Sequence, residues 1–161
     1  MKDYVVALIG RPNVGKSTLF NAILGSNDAI TEKDPGITRD RKYGSINREG
    51  FRIILVDTGG YDTDETGIIS KIREQTLMAV TESDISIFVV DGRVGLMPSD
   101  EDVAEILRKH SKPVILAVNK IDNDDQNEFL YEFNKLGIKK IIPISASHRK
   151  NLTTLTDAID E

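Results

Sequence analysis

The stretch Gly10-Arg11-Pro12-Asn13-Val14-Gly15-Lys16-Ser17 decides the fold of this 161-residue chain. It follows the apolar run Tyr4–Ile9 and leads into a helical pattern that ends near Leu24. A glycine, four variable residues, and then glycine, lysine and serine between a strand and a helix are the pattern of a phosphate-binding loop. The glycines let successive backbone N–H groups converge on an anion, and the helix start adds unpaired amides. The sequence therefore predicts a polyphosphate site.

The side chains that close this stretch have separate predicted roles. We expect Lys16 to reach the β- and γ-phosphates of a nucleotide, and the Ser17 hydroxyl to ligate Mg²⁺. Thr18 follows in the first helical turn and completes the predicted cradle. The alternative is a glycine-containing turn that matches the pattern by chance, and the flanking strand and helix argue against it.

The composition is that of one ordinary globular domain. The chain has 39% hydrophobic and 29% charged residues, and its formal net charge of −5 argues against a broad electrostatic grip on nucleic acid. It contains no cysteine, which excludes disulfides, zinc–thiolate sites and thiol catalysis. No apolar run approaches the roughly 20 residues of a membrane span. We therefore expect a monomeric cytoplasmic domain that binds neither DNA nor a membrane.

Apolar runs and helical patterns alternate along the rest of the chain. The runs are continuous, as in strands that are buried on both faces of a parallel sheet. Strands are predicted at Tyr4–Ile9, Arg52–Val56, Ile85–Val90, Val114–Val118 and Lys140–Ile144. Helices are predicted at Lys16–Leu24, Ile69–Thr81, Asp100–Lys109, Gln126–Lys135 and Leu152–Asp160. Ser99 is the predicted N-cap of the third helix, and Gly137 is the predicted stop of the fourth.

One further strand is predicted in a hairpin. The segment Lys42–Asn47 and the run from Phe51 flank Arg48-Glu49-Gly50, which indicates an antiparallel pair. The strand–helix order then predicts a three-layer α/β fold with a six-stranded, mostly parallel sheet and one antiparallel edge strand. Two irregular segments, Asn27–Arg41 and Gly59–Gly67, resist assignment. Because long irregular loops in compact domains are often functional, we expect both to belong to the site.

Motifs follow the strands at the edge of the sheet where such folds bind ligands. Asp57-Thr58-Gly59-Gly60 comes after one strand, so that Asp57 can hold the water shell of Mg²⁺ and Gly60 can offer its N–H to a γ-phosphate. The alternative is an ordinary strand-ending turn. Thr38, in the first irregular segment, is the candidate for the hydroxyl that completes the metal shell in the triphosphate state.

Asn119-Lys120-Ile121-Asp122 follows the next-to-last strand and is the predicted base-reading segment. The Asp122 carboxylate can accept N1–H and the exocyclic amine of guanine, whereas adenine offers no matching pair of donors. Asn119 can either serve the opposite edge of the base or brace the loop, and the stem of Lys120 can lie over the base plane. After the last strand, Ser145-Ala146-Ser147 can bring a backbone N–H to guanine O6.

Taken together and in this order, the motifs resemble those of the TrmE–Era–EngA group of bacterial GTPases. The string Gly10–Asn21 resembles that group as a whole. Four further strings together resemble the first G domain of the Der (EngA) family; they are Pro35–Arg41, Asp57–Gly60, Val90–Glu101 and Pro143–His148. The resemblance implies a small G protein fold of the P-loop NTPase class and a Mg²⁺-dependent GTPase that binds GTP and GDP. It also implies a longer protein with a second G domain and a KH-like domain, which acts in assembly of the large ribosomal subunit.

Two positions depart from the Ras-like pattern. Tyr61 stands where Ras-like proteins place the glutamine that orients the attacking water. Asn13 stands where relatives of the group use asparagine as a ligand for K⁺, which could supply catalytic charge, and its alternative role is to stabilise the loop. Arg39 and Arg41 are further candidate charge donors.

Two functions from different classes remain after this comparison. The first is a GTP-hydrolysing switch in which Lys16, Thr38 and Asn13 act at the reaction centre. The second is a nucleotide-gated binding module with negligible hydrolysis, which the missing glutamine favours. A general ATPase is disfavoured by Asp122, because bound ATP would leave that acceptor unpaired.

Overall fold

The computed structural model describes residues 2–25, 30–33, 42–58, 68–122 and 130–160. Within these ranges the strands are β1 (Lys2–Ile9), β2 (Ile30–Lys33), β3 (Lys42–Arg48), β4 (Phe51–Asp57), β5 (Ile85–Asp91), β6 (Val114–Asn119) and β7 (Lys140–Pro143). The helices are α1 (Lys16–Gly25), α2 (Ile68–Glu82), α3 (Pro98–Lys109), α4 (Leu130–Phe133) and α5 (Leu152–Asp160). None of the described helices is both long and apolar enough to cross a bilayer.

The strands form one sheet in the order β2-β3-β4-β1-β5-β6-β7. Strand β1 lies near its middle and pairs in parallel with β4 and β5, and β6 and β7 continue the parallel part. Strands β3 and β4 form the predicted hairpin across Glu49 and Gly50, whose φ of 86° favours glycine. Because β1 is central, the loop that follows it lies among the carboxyl ends of its neighbours, where ligands bind in open α/β sheets.

Helices cover both faces of the sheet and enclose two hydrophobic cores. On one face, α1 and α5 pack on the sheet through Leu19, Phe20 and Leu155. On the other face, α2, α3 and α4 do so through Val80, Leu107 and Phe133. All six side chains are at most 1% exposed. The three-layer α/β fold predicted from the sequence is therefore confirmed.

Three details of the prediction need correction. The sheet has seven described strands rather than six, because Ile30–Lys33 in the unassigned segment pairs with β3 beyond the predicted edge. Ser99 is not the N-cap of α3, since the helix already starts at Pro98 and the Asp100 carboxylate accepts the Met97 N–H at 3.0 Å.

The fourth predicted helix also differs at its carboxyl end. Its described part runs from Leu130 to Phe133, and residues 126–129 lie outside the described ranges. After Phe133 it tightens into a 3₁₀ turn, Asn134–Leu136. The chain then leaves the turn at Gly137 with a φ of 73°, as the predicted stop requires.

Candidate nucleotide site

The phosphate-loop pattern occupies the turn between β1 and α1, as predicted. Within this loop, neither Gly10 nor Gly15 has room for a side chain. A Cβ on Gly10 would lie 2.4 Å from the carbonyl oxygen of Val89, and one on Gly15 would lie 2.3 Å from Asn119 Nδ2. Helix α1 starts at once, with the Leu19 N–H donating to the Gly15 oxygen at 2.9 Å. The loop is thus packed against the ends of β5 and β6 at both of its glycines.

Lys16 is buried at the start of α1 and bends back over the loop. Its ammonium donates a hydrogen bond to the carbonyl oxygen of Gly10 at the opposite end of the loop. Burial lowers the pKa of Lys16 to about 8, and the nearby Asp57 carboxylate opposes that effect. A buried cation held by one carbonyl is well placed to exchange that partner for a phosphate oxygen.

Ser17 and Asp57 come together from α1 and β4. The Ser17 hydroxyl donates to Asp57 Oδ2 at 3.1 Å, and the Asp57 side chain is almost fully buried. A hydroxyl and a carboxylate beside a phosphate loop form the hard oxygen set that Mg²⁺ prefers. The residues present therefore fit the predicted metal. The hydroxyl of Thr58, also assigned to the site, donates instead to the Leu8 oxygen at 2.6 Å and ties β4 to β1.

Asn119 links the phosphate loop to the segment after β7. Its Nδ2 donates to the Val14 oxygen at 2.9 Å, and its Oδ1 accepts the Ala146 N–H at 3.0 Å. Of the two roles considered for Asn119, these contacts are those of a brace. They also engage one of the backbone N–H groups of Ser145-Ala146-Ser147, that of Ala146, whereas Ser147 is exposed. One buried side chain therefore holds three loops of the candidate site together.

Lys120 connects the phosphate loop to Asp91, a residue that was not predicted to belong to the site. Its ammonium donates to the Asn13 oxygen at 3.1 Å and to Asp91 Oδ2 at 2.8 Å. Burial raises the pKa of Asp91, but hydrogen bonds from Lys120 and from the N–H groups of Val94 and Arg93 outweigh it, so the pKa lies below its usual value. Two sequence signals included Asp91: its place directly after a predicted strand and its membership of the family-like string Val90–Glu101.

Asp122 lies at the mouth of the site with both carboxylate oxygens engaged. Ser145 donates its hydroxyl to Oδ1 at 2.8 Å, and Arg93 Nη2 donates to Oδ2 at 2.8 Å. The hydrogen bond from Ser145 is the main reason why the pKa of Asp122 is lowered, and Arg93 adds to it. The backbone N–H of Ile121 donates to the Ile144 oxygen at 3.0 Å, so the two predicted base-reading segments lie side by side.

Arg11 turns toward α3. Its Nε lies 3.5 Å from Asp100 Oδ1, and Asp100 is fully buried. Burial raises the pKa of the Asp100 carboxyl, against the effects of the Met97 N–H and of Arg11. Among the described residues, Nε and Nη2 of Arg11 and Oδ1 of Asp100 make no hydrogen bond. This ion pair was not predicted, because 89 positions separate its members in the sequence and only the fold brings them together.

The remaining predicted residues fall into two groups. Gly10–Thr18, Asp57, Asn119–Asp122 and Ser145–Ser147 meet at the carboxyl edge of the sheet. Thr38, Gly59, Gly60 and Tyr61, together with Arg39 and Arg41, lie outside the described residues.

A phosphate-loop pattern after a central parallel strand, joined to Asn-Lys-x-Asp and Ser-Ala-Ser segments from two neighbouring strands, defines a G domain of the P-loop class. The profile of a family described as "50S ribosome-binding GTPase" matches residues 5–120. The chain therefore belongs to this family of P-loop GTPases.

Individual relatives agree with this assignment. GTPase Der of Shigella boydii is 48% identical over 155 residues, which make up 96% of this chain and 32% of that protein. The resemblance to Der found in the sequence is thereby confirmed. The chain spans about a third of the length of the curated relatives that it matches.

Solved structures match the fold as well. A variant of Era from Aquifex aeolicus bound to GDP and AlF4⁻ superposes with a TM-score of 0.78 at 32% identity, covering 99% of this chain and 56% of Era. A second Era structure, in complex with MgGDPNP and a segment of 16S ribosomal RNA, gives a TM-score of 0.74 at 30% identity, with 99% and 56% covered.

Proposed function

We propose that this domain is a Mg²⁺-dependent guanine-nucleotide switch in which Lys16, Ser17 and Asp57 serve the phosphates and Asp122 reads the base. The observation that carries the proposal is the buried side chain of Asn119, which bonds the phosphate loop at Val14 and the Ala146 amide at once. These two bonds hold the predicted phosphate loop next to one of the predicted base-reading segments, which supports a single nucleotide that spans both.

The phosphate end of the site would work by positioning and charge. Lys16 exchanges its bond to the Gly10 oxygen for a β- or γ-phosphate oxygen, and the loop amides hold the transferred group. Ser17 and Asp57 would hold Mg²⁺, which when bound neutralises negative charge on the β- and γ-phosphate oxygens. No dedicated general base is proposed, because positioning and electrostatic stabilisation supply most of the catalysis of phosphoryl transfer.

Thr38 is proposed as a further metal ligand. What supports it is the register at the sheet edge: Lys33 pairs with Lys42, and Lys42 pairs in turn with Asp57. The described residues on either side of the segment that contains Thr38 are therefore level with Asp57. Loops that order around a γ-phosphate and are released on hydrolysis are the usual switch of GTPases.

Asn13 is proposed as a potassium ligand beside the phosphates. Its φ of 70° places it in the left-handed region, its side chain is exposed, and its carbonyl is held by Lys120. The side chain is therefore not needed to fix the loop. Equal single-turnover rates in KCl and NaCl would remove this assignment.

The protein around this domain is also a proposal. The short coverage of its relatives supports a longer chain with a second G domain and a KH-like domain. The family description and the Era complex with ribosomal RNA support action on the ribosome, and large-subunit assembly in the cytoplasm is the role that we infer.

Calorimetric titration of the domain with GDP, GTP and ATP tests the nucleotide site. We expect ATP to bind about 10⁴-fold more weakly than GTP, because its base cannot satisfy Asp122.

Lys16→Ala should abolish tight GTP binding or turnover. Asp122→Asn should shift preference to xanthine nucleotides. Failure of wild-type protein to bind GDP would overturn the proposal, and binding without single-turnover phosphate release, in K⁺ or Na⁺, would favour the binding module.

A further inference from the structure

The turn after β5 packs directly on the base-reading segment. The Gly92 N–H donates to the Asn119 oxygen at 2.8 Å, and a Cβ on Gly92 would lie 2.6 Å from Ile121 Cδ1. The same turn is closed from within, since Asp91 Oδ1 accepts the Arg93 N–H at 2.9 Å. The backbone of Arg93 is thus fixed against the residues that precede Asp122.

From this fixed backbone, the Arg93 side chain reaches the carboxylate of Asp122. Nη2 donates to Oδ2 at 2.8 Å, while Ser145 donates to Oδ1 from the other side of the segment. The Arg93 side chain is 65% exposed and that of Asp122 is 23% exposed. His148 also faces Asp122, with its Nε2 at 3.7 Å from Oδ1, on the oxygen that Ser145 already bonds.

Hydrogen bonds to both oxygens of Asp122 restrict the orientation of its carboxylate. The last torsion of an aspartate side chain is broad, so an untethered carboxylate samples many orientations. A donor on each oxygen, from loops on opposite sides, selects one plane. A carboxylate has about four lone-pair positions, so one donor on each oxygen does not by itself exhaust its capacity to accept the N1–H and the amine of guanine.

We propose that Arg93 is a positioning residue for guanine recognition, which holds the Asp122 carboxylate oriented for the base. The proposal rests on the assignment of Asp122 as the base reader. It has a direct competitor: if Arg93 instead occupied the place of a guanine N–H, its removal would tighten nucleotide binding. The two roles therefore predict effects of opposite sign.

Fluorescence titration with a labelled GDP at low ionic strength tests this. We expect Arg93→Ala to weaken GDP binding about three- to fivefold, since an exposed ion pair is worth little more. Arg93→Lys should stay within about twofold of wild type, because a single contact does not need the guanidinium fork. Arg73→Ala removes an exposed arginine paired with Asp102 on α3 and serves as the matched control, with unchanged binding.

A double-mutant cycle separates positioning from general damage. In the Asp122→Asn background, titrated with xanthosine diphosphate, the charge that holds Arg93 is gone, so Arg93→Ala should have almost no effect. The loss in the wild-type background should also shrink at about 1 M salt, where exposed pairs are screened. Unchanged or tighter GDP binding by Arg93→Ala, or an equal loss in both backgrounds, overturns the proposal. If instead the wild-type domain fails to bind GDP, the nucleotide site itself is wrong.

Discussion

Gly15 is required both for the backbone conformation of the phosphate loop and for the packing of Asn119 against it. Its φ of 100° lies in the region that favours glycine, and the space where its Cβ would stand is filled by the amide of Asn119. That amide is the buried brace between the phosphate loop and the segment after β7. A side chain at this position would therefore strain the loop and displace the brace at once.

We expect Gly15→Ala to lower the free energy of unfolding by about 1–3 kcal/mol from backbone strain and to weaken GDP binding at least about tenfold through Asn119. Gly50→Ala is the matched control, because Gly50 also has a positive φ but nothing lies within 4 Å of its would-be Cβ. It should lose stability but keep GDP affinity. Calorimetry and urea unfolding measure the two quantities, and equal GDP affinity in both variants would contradict the account.

The lowered pKa of Asp91 should make the free energy of unfolding depend on pH. Its pKa is lower in the folded chain, so its ionised form contributes stability above about pH 4, the unfolded value, and this is lost as pH falls through the folded pKa. Asp91→Asn should lower the free energy of unfolding by about 1–3 kcal/mol at pH 7. The gap to wild type should narrow as the pH falls below 4 in urea titrations. A gap that does not change with pH would show that the charge of Asp91 is not responsible.

At the scale of elements, the start of α3 depends on one buried carboxylate. Asp100 Oδ2 accepts the Met97 N–H and caps the helix, while Oδ1 faces the guanidinium of Arg11 in the phosphate loop. Burying a charge is tolerated only with such partners, and removing one partner leaves the other buried without compensation. The helix and the loop are therefore coupled through a single side chain.

We expect Asp100→Ala to lower the free energy of unfolding by about 2–4 kcal/mol, from the lost cap and the stranded Arg11. Asp102→Ala, two residues along the same helix, removes an exposed partner of Arg73 and should cost less than about 1 kcal/mol. Urea denaturation at pH 7 compares the two variants. Similar losses for both would mean that the buried pair contributes little.

At the scale of the whole molecule, the sheet separates two cores that must form together. Leu19 packs under α1 on one face and Leu107 under α3 on the other, and both are almost fully buried. Each strand of the parallel centre contributes to both faces, as its continuous apolar sequence indicates. Because the same strands supply side chains to both cores, loss of either core would expose one face of the sheet. We therefore expect the domain to unfold as one cooperative unit.

We expect Leu19→Ala and Leu107→Ala each to lower the free energy of unfolding by about 2–5 kcal/mol. Both should shift the urea midpoint without changing the slope of the transition, because the same surface is exposed on unfolding. Far-ultraviolet circular dichroism and tyrosine fluorescence should give coincident curves. A two-step curve for either variant would show that the two faces unfold separately.

The sequence predicted what depends on local pattern and missed what depends on distant contacts. The strand–loop–helix at Gly10–Ser17 and the apolar strands were recognisable because their periodicity and spacing are local. Strand β2 was missed because Ile30–Lys33 is short and three of its four residues are polar. Asp91, Arg93 and Asp100 were missed as site residues because each acts on a partner 29 or more positions away. An isolated acidic or basic residue carries no sign of such a partner.

Lys33 at the end of β2 pairs with Lys42 at the start of β3, so the two described residues that flank this part of the sequence are fixed next to each other in one sheet. The entropic cost of closing a loop between two such points grows slowly, by about 0.6 kcal/mol for each doubling of its length. Insertions between β2 and β3 should therefore cost little stability and leave the pairing of the two strands unchanged.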